Sequence, residues 1–213
     1  MMNSRFSLVL LLAGLALALV GGYFVWHSAA GPRPATPPPG TARLLSATAI
    51  NDERPVPAFR LNSASGEINE RSLLGHWSFI FFGYTQCPDV CPSSLSMLAQ
   101  VDKKLAANGK PRPAVLFVSV DPRRDTTEML GRFVPAFAPA FVGATGSDAD
   151  LAPLTKHLGV FYQRHDEQDT KHYPVDHTAA IYLIDPQARL KAVFSEPHEV
   201  DRVVADYLAL SRP

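Results

Sequence analysis

Cysteine is scarce in these 213 residues: there are two, and both lie in the five-residue stretch Cys87-Pro88-Asp89-Val90-Cys91. A domain of about 170 residues buries roughly 70% of its unfolded surface without covalent staples, so the pair calls for a reason other than holding the fold together. Net charge is also absent, with 20 Lys+Arg against 20 Asp+Glu, which excludes the cationic surface a nucleic-acid binder needs. Residues 1–40 contain no acid and only Arg5 and Arg33, which leaves eighteen basic and twenty acidic side chains to the rest. Neither a phosphate-binding glycine loop, a serine-hydrolase elbow nor an HExxH helix is found, and nothing repeats.

One long apolar run is present. From Phe6 to Trp26 no side chain is charged, and a helix of about 20 residues spans the roughly 30 Å of a bilayer interior. Residues 1–30 are therefore expected to hold a single transmembrane anchor helix, with Tyr23 and Trp26 at the interface. The alternative is a cleaved signal peptide ending near Ser28-Ala29-Ala30, although typical signal cores are shorter. Arg5 predicts an amino terminus inside and a domain outside. Residues 31–41, with GPRPATPPPG at 31–40, read as an extended proline-rich linker. Residues 42–213 then form a tethered domain in an extracytoplasmic space, where cysteines can be oxidised.

Within that domain, Ser78–Phe82 is a continuous apolar run suited to a strand buried on both faces. The cysteine turn follows, then a helix over Ser93–Asn108 with Leu95, Leu98, Val101 and Leu105 on one face. Ala114–Val120 predicts a second buried strand. Asp125 with Glu128 suggests a capped helix through about Phe137, with Arg123 and Arg124 in solvent. Further elements are a strand at Phe141–Ala144, a helix capped by Ser147 and running to Leu158, strands at Thr178–Ile184 and Leu190–Phe194 around the Asp185–Ala188 turn, and a helix over Glu199–Leu210. Residues 55–75 add an N-terminal β-hairpin with Phe59 and Leu61 facing inward and a turn at Gly66. The order predicts an α/β class, a thioredoxin-like fold with a central mixed sheet flanked by helices.

A cysteine turn between a buried strand and a helix start favours thiolate over thiol. Such a pair can form a disulfide, attack one, or clamp a soft metal ion, and a purely structural disulfide in so tight a loop gains little. Thioredoxin-type motifs have two residues between the cysteines, whereas this one has three. Zinc prefers four ligands, while Cu(I) accepts two or three soft ones. Of seven histidines, His177 in Val175-Asp176-His177-Thr178 leads into an apolar strand. In thioredoxin-like folds the residue entering this strand faces the cysteine turn, which makes His177 the candidate third ligand. Asp176 is a candidate supporting residue or an exposed loop acid. His165 and His172 sit in a polar stretch expected to be a solvated loop.

Three segments in register, Gly83–Pro92, Asp121–Thr126, and Val175–Thr178 with Tyr182–Pro186, resemble the Sco/SenC family over roughly residues 50–210. The resemblance implies a thioredoxin fold adapted to copper, as Cu(I) and/or Cu(II), in assembly of the copper centre of cytochrome c oxidase subunit II. By that likeness Cys87, Cys91 and His177 are the copper ligands, with Asp121 near the site. It implies a metallochaperone in the inner (cytoplasmic) membrane with its domain in the periplasm, served by a copper donor protein and delivering to subunit II or another acceptor. The same thiols permit an alternative, an enzyme: a membrane-anchored thiol-disulfide oxidoreductase that keeps the partner's copper-site cysteines reduced through Cys87 and Cys91. A peroxiredoxin-like peroxidase, with Thr85 beside Cys87, fits the fold less well, because a second cysteine and His177 favour metal.

Overall fold

A computed structural model describes residues 14–15, 17–26, 44–50, 52, 54–165 and 172–212. They fall into two units, Met1–Thr41 and Ala42–Pro213. In the first, residues 17–26 are helical and exposed. Among the described residues no helix is long and apolar enough to cross a membrane. Part of the run expected to form the anchor, and the whole linker at 31–41, lie outside the described residues.

In the second unit, the apolar run forms β4 (Ser78–Gly83), buried at every position. A strand apolar on both faces has to be central. It pairs in parallel with β5 (Ala114–Ser119) and antiparallel with β9 (Ile181–Ile184). Beyond β5 lies β6 (Val142–Thr145), again parallel. The expected hairpin, β2 (Arg60–Ser63) and β3 (Gly66–Asn69), joins antiparallel to β6. On the other side β10 (Leu190–Phe194) and then β1 (Ala47–Ala49) complete an eight-stranded mixed sheet. The pleat divides the core: Ile80 and Phe82 pack with Leu116, Val118 and Tyr182 on one face, and Phe79 and Phe81 pack with Phe117 and Leu183 on the other.

Helix α1 (Val90–Ala107) buries Leu95, Leu98, Val101 and Leu105 against the second face, alongside α4 (Val200–Leu210). Each such side chain contributes about 1.5–3 kcal/mol on burial. The helix begins three residues before the expected Ser93, because Pro92 lies in its first turn, where a missing N–H costs nothing. Helix α2 (Thr127–Phe133) is capped by Thr126, whose side chain accepts from the Met129 N–H, so Asp125 is not the cap. It stops short of Phe137 at Val134, because Pro135 has no N–H with which to continue the helix. Helix α3 (Asp148–Leu158) starts from Ser147 in a capping box with Asp150, as expected.

The strand expected over Thr178–Ile184 is shorter at its start. β9 begins only at Ile181, while β8 (Val175–His177) pairs with β7 (Tyr162–Arg164) in a separate two-stranded sheet. Arg164 and His165, expected in a solvated loop, therefore lie along this ribbon, where the His165 N–H donates to the Pro174 carbonyl. At the far end, buried Asp206 on α4 accepts the backbone N–H groups of Leu45, Ser46 and Ala47, fixing the start of β1.

Candidate metal centre

Two arms of chain meet at the end of the central strands. The first is the turn from Gly83 of β4 into the start of α1, which carries Cys87 and then Cys91 in the first turn of the helix. Cys91 is wholly buried against the second core face, and Cys87 is half-buried between the two cores. Gly83 makes room for the buried sulfur: a Cβ there would stand 2.4 Å from Cys91 Sγ and 2.9 Å from the Phe117 ring. The second arm is β8, which ends on His177. Its Nε2 lies 3.5 Å from Cys91 Sγ, and its Nδ1 is 3.2 Å from the Thr178 carbonyl. Phe81 and Tyr84 hold the imidazole edge-on, at centroid distances of 6.3 and 5.9 Å.

The two sulfurs and the imidazole nitrogen all lie within 4.8 Å of one another. A carbonyl on Nδ1 leaves Nε2 free to ligate, the arrangement in which a metal-binding histidine is oriented by its other nitrogen. The cysteines are unequal. The Cys91 thiol donates to Cys87, and the Cys91 and Asp89 backbone N–H groups add to it, bringing the Cys87 thiol down to about 4 although burial pulls the other way. Giving that hydrogen bond, together with burial, pushes Cys91 well above the ordinary thiol range. Cys87 thus has the greater thiolate character, and Cys91 loses its proton to a base when a metal ion binds its sulfur or when it attacks.

Around this group are further polar side chains, of which Asp121 and Asp176 were expected and Asp125 and Arg124 were not. Asp125, fully buried, accepts the Thr85 N–H at 2.9 Å and the Thr85 and Ser119 hydroxyls, so it ties the cysteine turn to the end of β5 instead of capping a helix. Burial raises its pKa against these bonds. Asp121 is also fully buried; its carboxylate takes the Tyr173 hydroxyl at 2.7 Å and the Arg124 Nε. Arg124, expected in solvent, is 8% exposed at the side chain. Asp176 lies one residue before His177 and so on the opposite side of the strand. It is exposed and pairs with His165 Nε2 at 2.8 Å, away from the His177 ring. Asp89 is exposed at the head of α1 and makes no side-chain cap. The one available signal for the Asp125 role was its four-residue spacing from Asp121 just after a buried strand.

The SCO1/SenC family model matches residues 47–211. The SCO2-like protein of Rickettsia prowazekii is 39% identical over 133 residues, covering 62% of this chain and 64% of that one. A solution structure of apo Sco1 from Thermus thermophilus superposes with a TM-score of 0.70 at 36% identity, over 79% of this chain and 99% of that one. A copper-bound crystal structure of Arabidopsis thaliana ScoI gives a TM-score of 0.68 at 30% identity, over 74% and 98%. The chain spans 40% of the length of the Arabidopsis thaliana SCO1 homologue, 49% of the Bos taurus SCO2 homologue and 64% of the Rickettsia prowazekii protein.

Proposed function

The chain belongs to the SCO1/SenC family, and from that premise we propose that it is a copper carrier that binds one copper ion through Cys87, Cys91 and His177 and passes it to an acceptor protein. The observation that carries this reading is the convergence of three donor atoms, two soft sulfurs and one imidazole nitrogen, within 4.8 Å. Copper is the metal this donor set suits: thiolates hold Cu(I), and imidazole extends the site to Cu(II). Two sulfurs and a nitrogen fall one short of the closed tetrahedron that structural zinc takes. A half-exposed Cys87 is where an incoming ligand of the acceptor can enter, so that transfer proceeds by ligand exchange. The acceptor in this proposal is the copper centre of cytochrome c oxidase subunit II, and Phe6–Trp26 is a single-pass anchor in the inner membrane that keeps the domain beside it.

The test is copper stoichiometry and affinity on the reduced full chain, with His177→Ala alongside. One copper per chain, held tightly and much more weakly in the variant, is the expected result. Copper binding unchanged by His177→Ala would remove His177 from the ligand set. Absence of binding in both would end the carrier reading.

A second reading is favoured by the inequality of the two thiols. A standing thiolate at Cys87 beside a protonated, buried Cys91 is the arrangement of an attacking and a resolving cysteine. Cys87 attacks a partner disulfide, forming a mixed disulfide and releasing one partner thiolate. Cys91 then loses its proton and attacks Cys87 Sγ, leaving a Cys87–Cys91 disulfide and a fully reduced partner, two electrons having moved. Trapping a partner with Cys91→Ser, but not with Cys87→Ser, is the result this reading requires.

A further inference from the structure

The ligands come from two arms that are far apart in sequence, and one side chain touches both. Arg124 lies with its guanidinium carbon 3.6 Å from the centre of the Tyr173 ring, four residues before His177 on the histidine arm. On the cysteine arm, its Nη1 donates to Gln86 Oε1 at 3.2 Å, next to Cys87, and its guanidinium sits 5.5 Å from the Tyr84 ring. Tyr84 in turn meets the His177 imidazole edge-on. Asp121 fixes the assembly from below, accepting from both Arg124 Nε and the Tyr173 hydroxyl.

The placement is costly for stability alone. The Arg124 side chain is more than nine-tenths buried, yet its Nη2 is enclosed with no hydrogen-bond partner among the described residues. A buried donor left unpaired calls for an explanation beyond the fold. An apolar side chain could fill the same space between the two tyrosines, but it could not reach Gln86 and Asp121 at once.

We infer that Arg124 is a positioning residue that sets the separation between the cysteine arm and the histidine arm, and so pre-forms the third ligand position for copper. The inference rests on the carrier reading for its purpose, while the geometry it asserts is a property of the metal-free protein. Because Cys91 is anchored in the core and Cys87 lies on the short turn beside it, the loss of Arg124 is felt mainly at the His177 arm, and so at the oxidation state that depends on imidazole. Supporting residues around metal ligands typically govern about 10–100-fold in affinity.

The experiment compares the full chain with Arg124→Met, Arg124→Lys and the milder Gln86→Ala, which removes only the hydrogen bond from Arg124 to the cysteine arm. In the metal-free proteins, NMR reads the contact between the Tyr84 and His177 rings; in proteins mixed with copper, Cu(II) electron paramagnetic resonance reads any nitrogen coupling, with Cu(I) and Cu(II) affinities measured separately. Arg124→Met is expected to lose the ring contact and about tenfold or more in Cu(II) affinity while holding Cu(I) within about twofold, with Arg124→Lys failing to rescue and Gln86→Ala shifted in the same direction. Ring contact and Cu(II) signature unchanged in a folded Arg124→Met overturn the inference. If that variant does not fold, an unchanged Gln86→Ala overturns it instead. A wild-type chain that shows the ring contact but binds no copper counts against the carrier reading and leaves the arm geometry to be decided by NMR.

Discussion

Cys91 Sγ and His177 Nε2 stand 3.5 Å apart although 86 residues of chain separate them. Cys91 is held from within the core and His177 from a ribbon outside it, so each cysteine has its own environment, and their reactivities diverge. Brief treatment of the reduced chain with iodoacetamide at neutral pH should modify Cys87 first, with Cys91 protected until the domain unfolds. Mass spectrometry of the peptide spanning both residues reads the order, and equal labelling would contradict the geometry.

Gly83 has no space for a side chain beside Cys91 and Phe117. Gly83→Ala is expected to cost about 1–3 kcal/mol, the usual penalty for overpacking a core, and to weaken copper binding by displacing the buried sulfur. Chemical denaturation measures the first effect and copper titration the second. A variant as stable as the parent, with intact binding, would show that the helix start can yield.

Asp125 accepts three donors from Thr85 and Ser119. Asp125→Ala leaves those donors buried, at a cost on the order of 1–3 kcal/mol each where water cannot enter. Asp125→Asn keeps an oxygen in place and should be much milder. Denaturation midpoints of the two variants distinguish the cases; equal losses would mean that the charge, and not the hydrogen bonds, is what the turn uses.

Asp206 sets a pH limit at the edge of the sheet. Burial alone would raise its pKa, but the N–H groups of Leu45, Ser46 and Ala47 outweigh it and hold the carboxyl below the usual range. A depressed folded pKa means that the unfolded chain takes up the proton first as pH falls. The stabilisation is therefore complete above the unfolded pKa of about 4 and fades as pH drops through the folded value. Asp206→Asn should flatten the acid limb of a plot of melting temperature against pH, below about pH 5. An unaltered limb would assign acid unfolding to other carboxylates.

The parts of the fold legible in the sequence were those that carry their own periodicity. Ser78–Phe82 declared a strand buried on both faces, and Leu95, Leu98, Val101 and Leu105 declared a helix. Ser147 announced its helix through local cap chemistry. Cys87, Cys91 and His177 were readable because a cysteine pair at a strand-to-helix turn fixes what must face it, and the structure brings the three together. The β7–β8 ribbon was missed because three-residue strands show no period. Asp125 and Arg124 were misplaced for another reason: charged residues after a proline read as surface, and only the long-range contacts with Thr85 and Tyr173 bury them.

The central place of β4 has a consequence in time. Its partner β5 follows within a few dozen residues, but β9 and the His177 arm are made much later. At ~5–20 residues per second, the 86 residues between Cys91 and His177 take roughly 4–17 s to synthesise. For most of that interval both thiols exist without His177 or Tyr173, and β4 lacks its partner β9. On the proposed ligand set, the three-donor site can therefore arise only once the chain has passed His177, and metal that arrives earlier meets the two thiols alone.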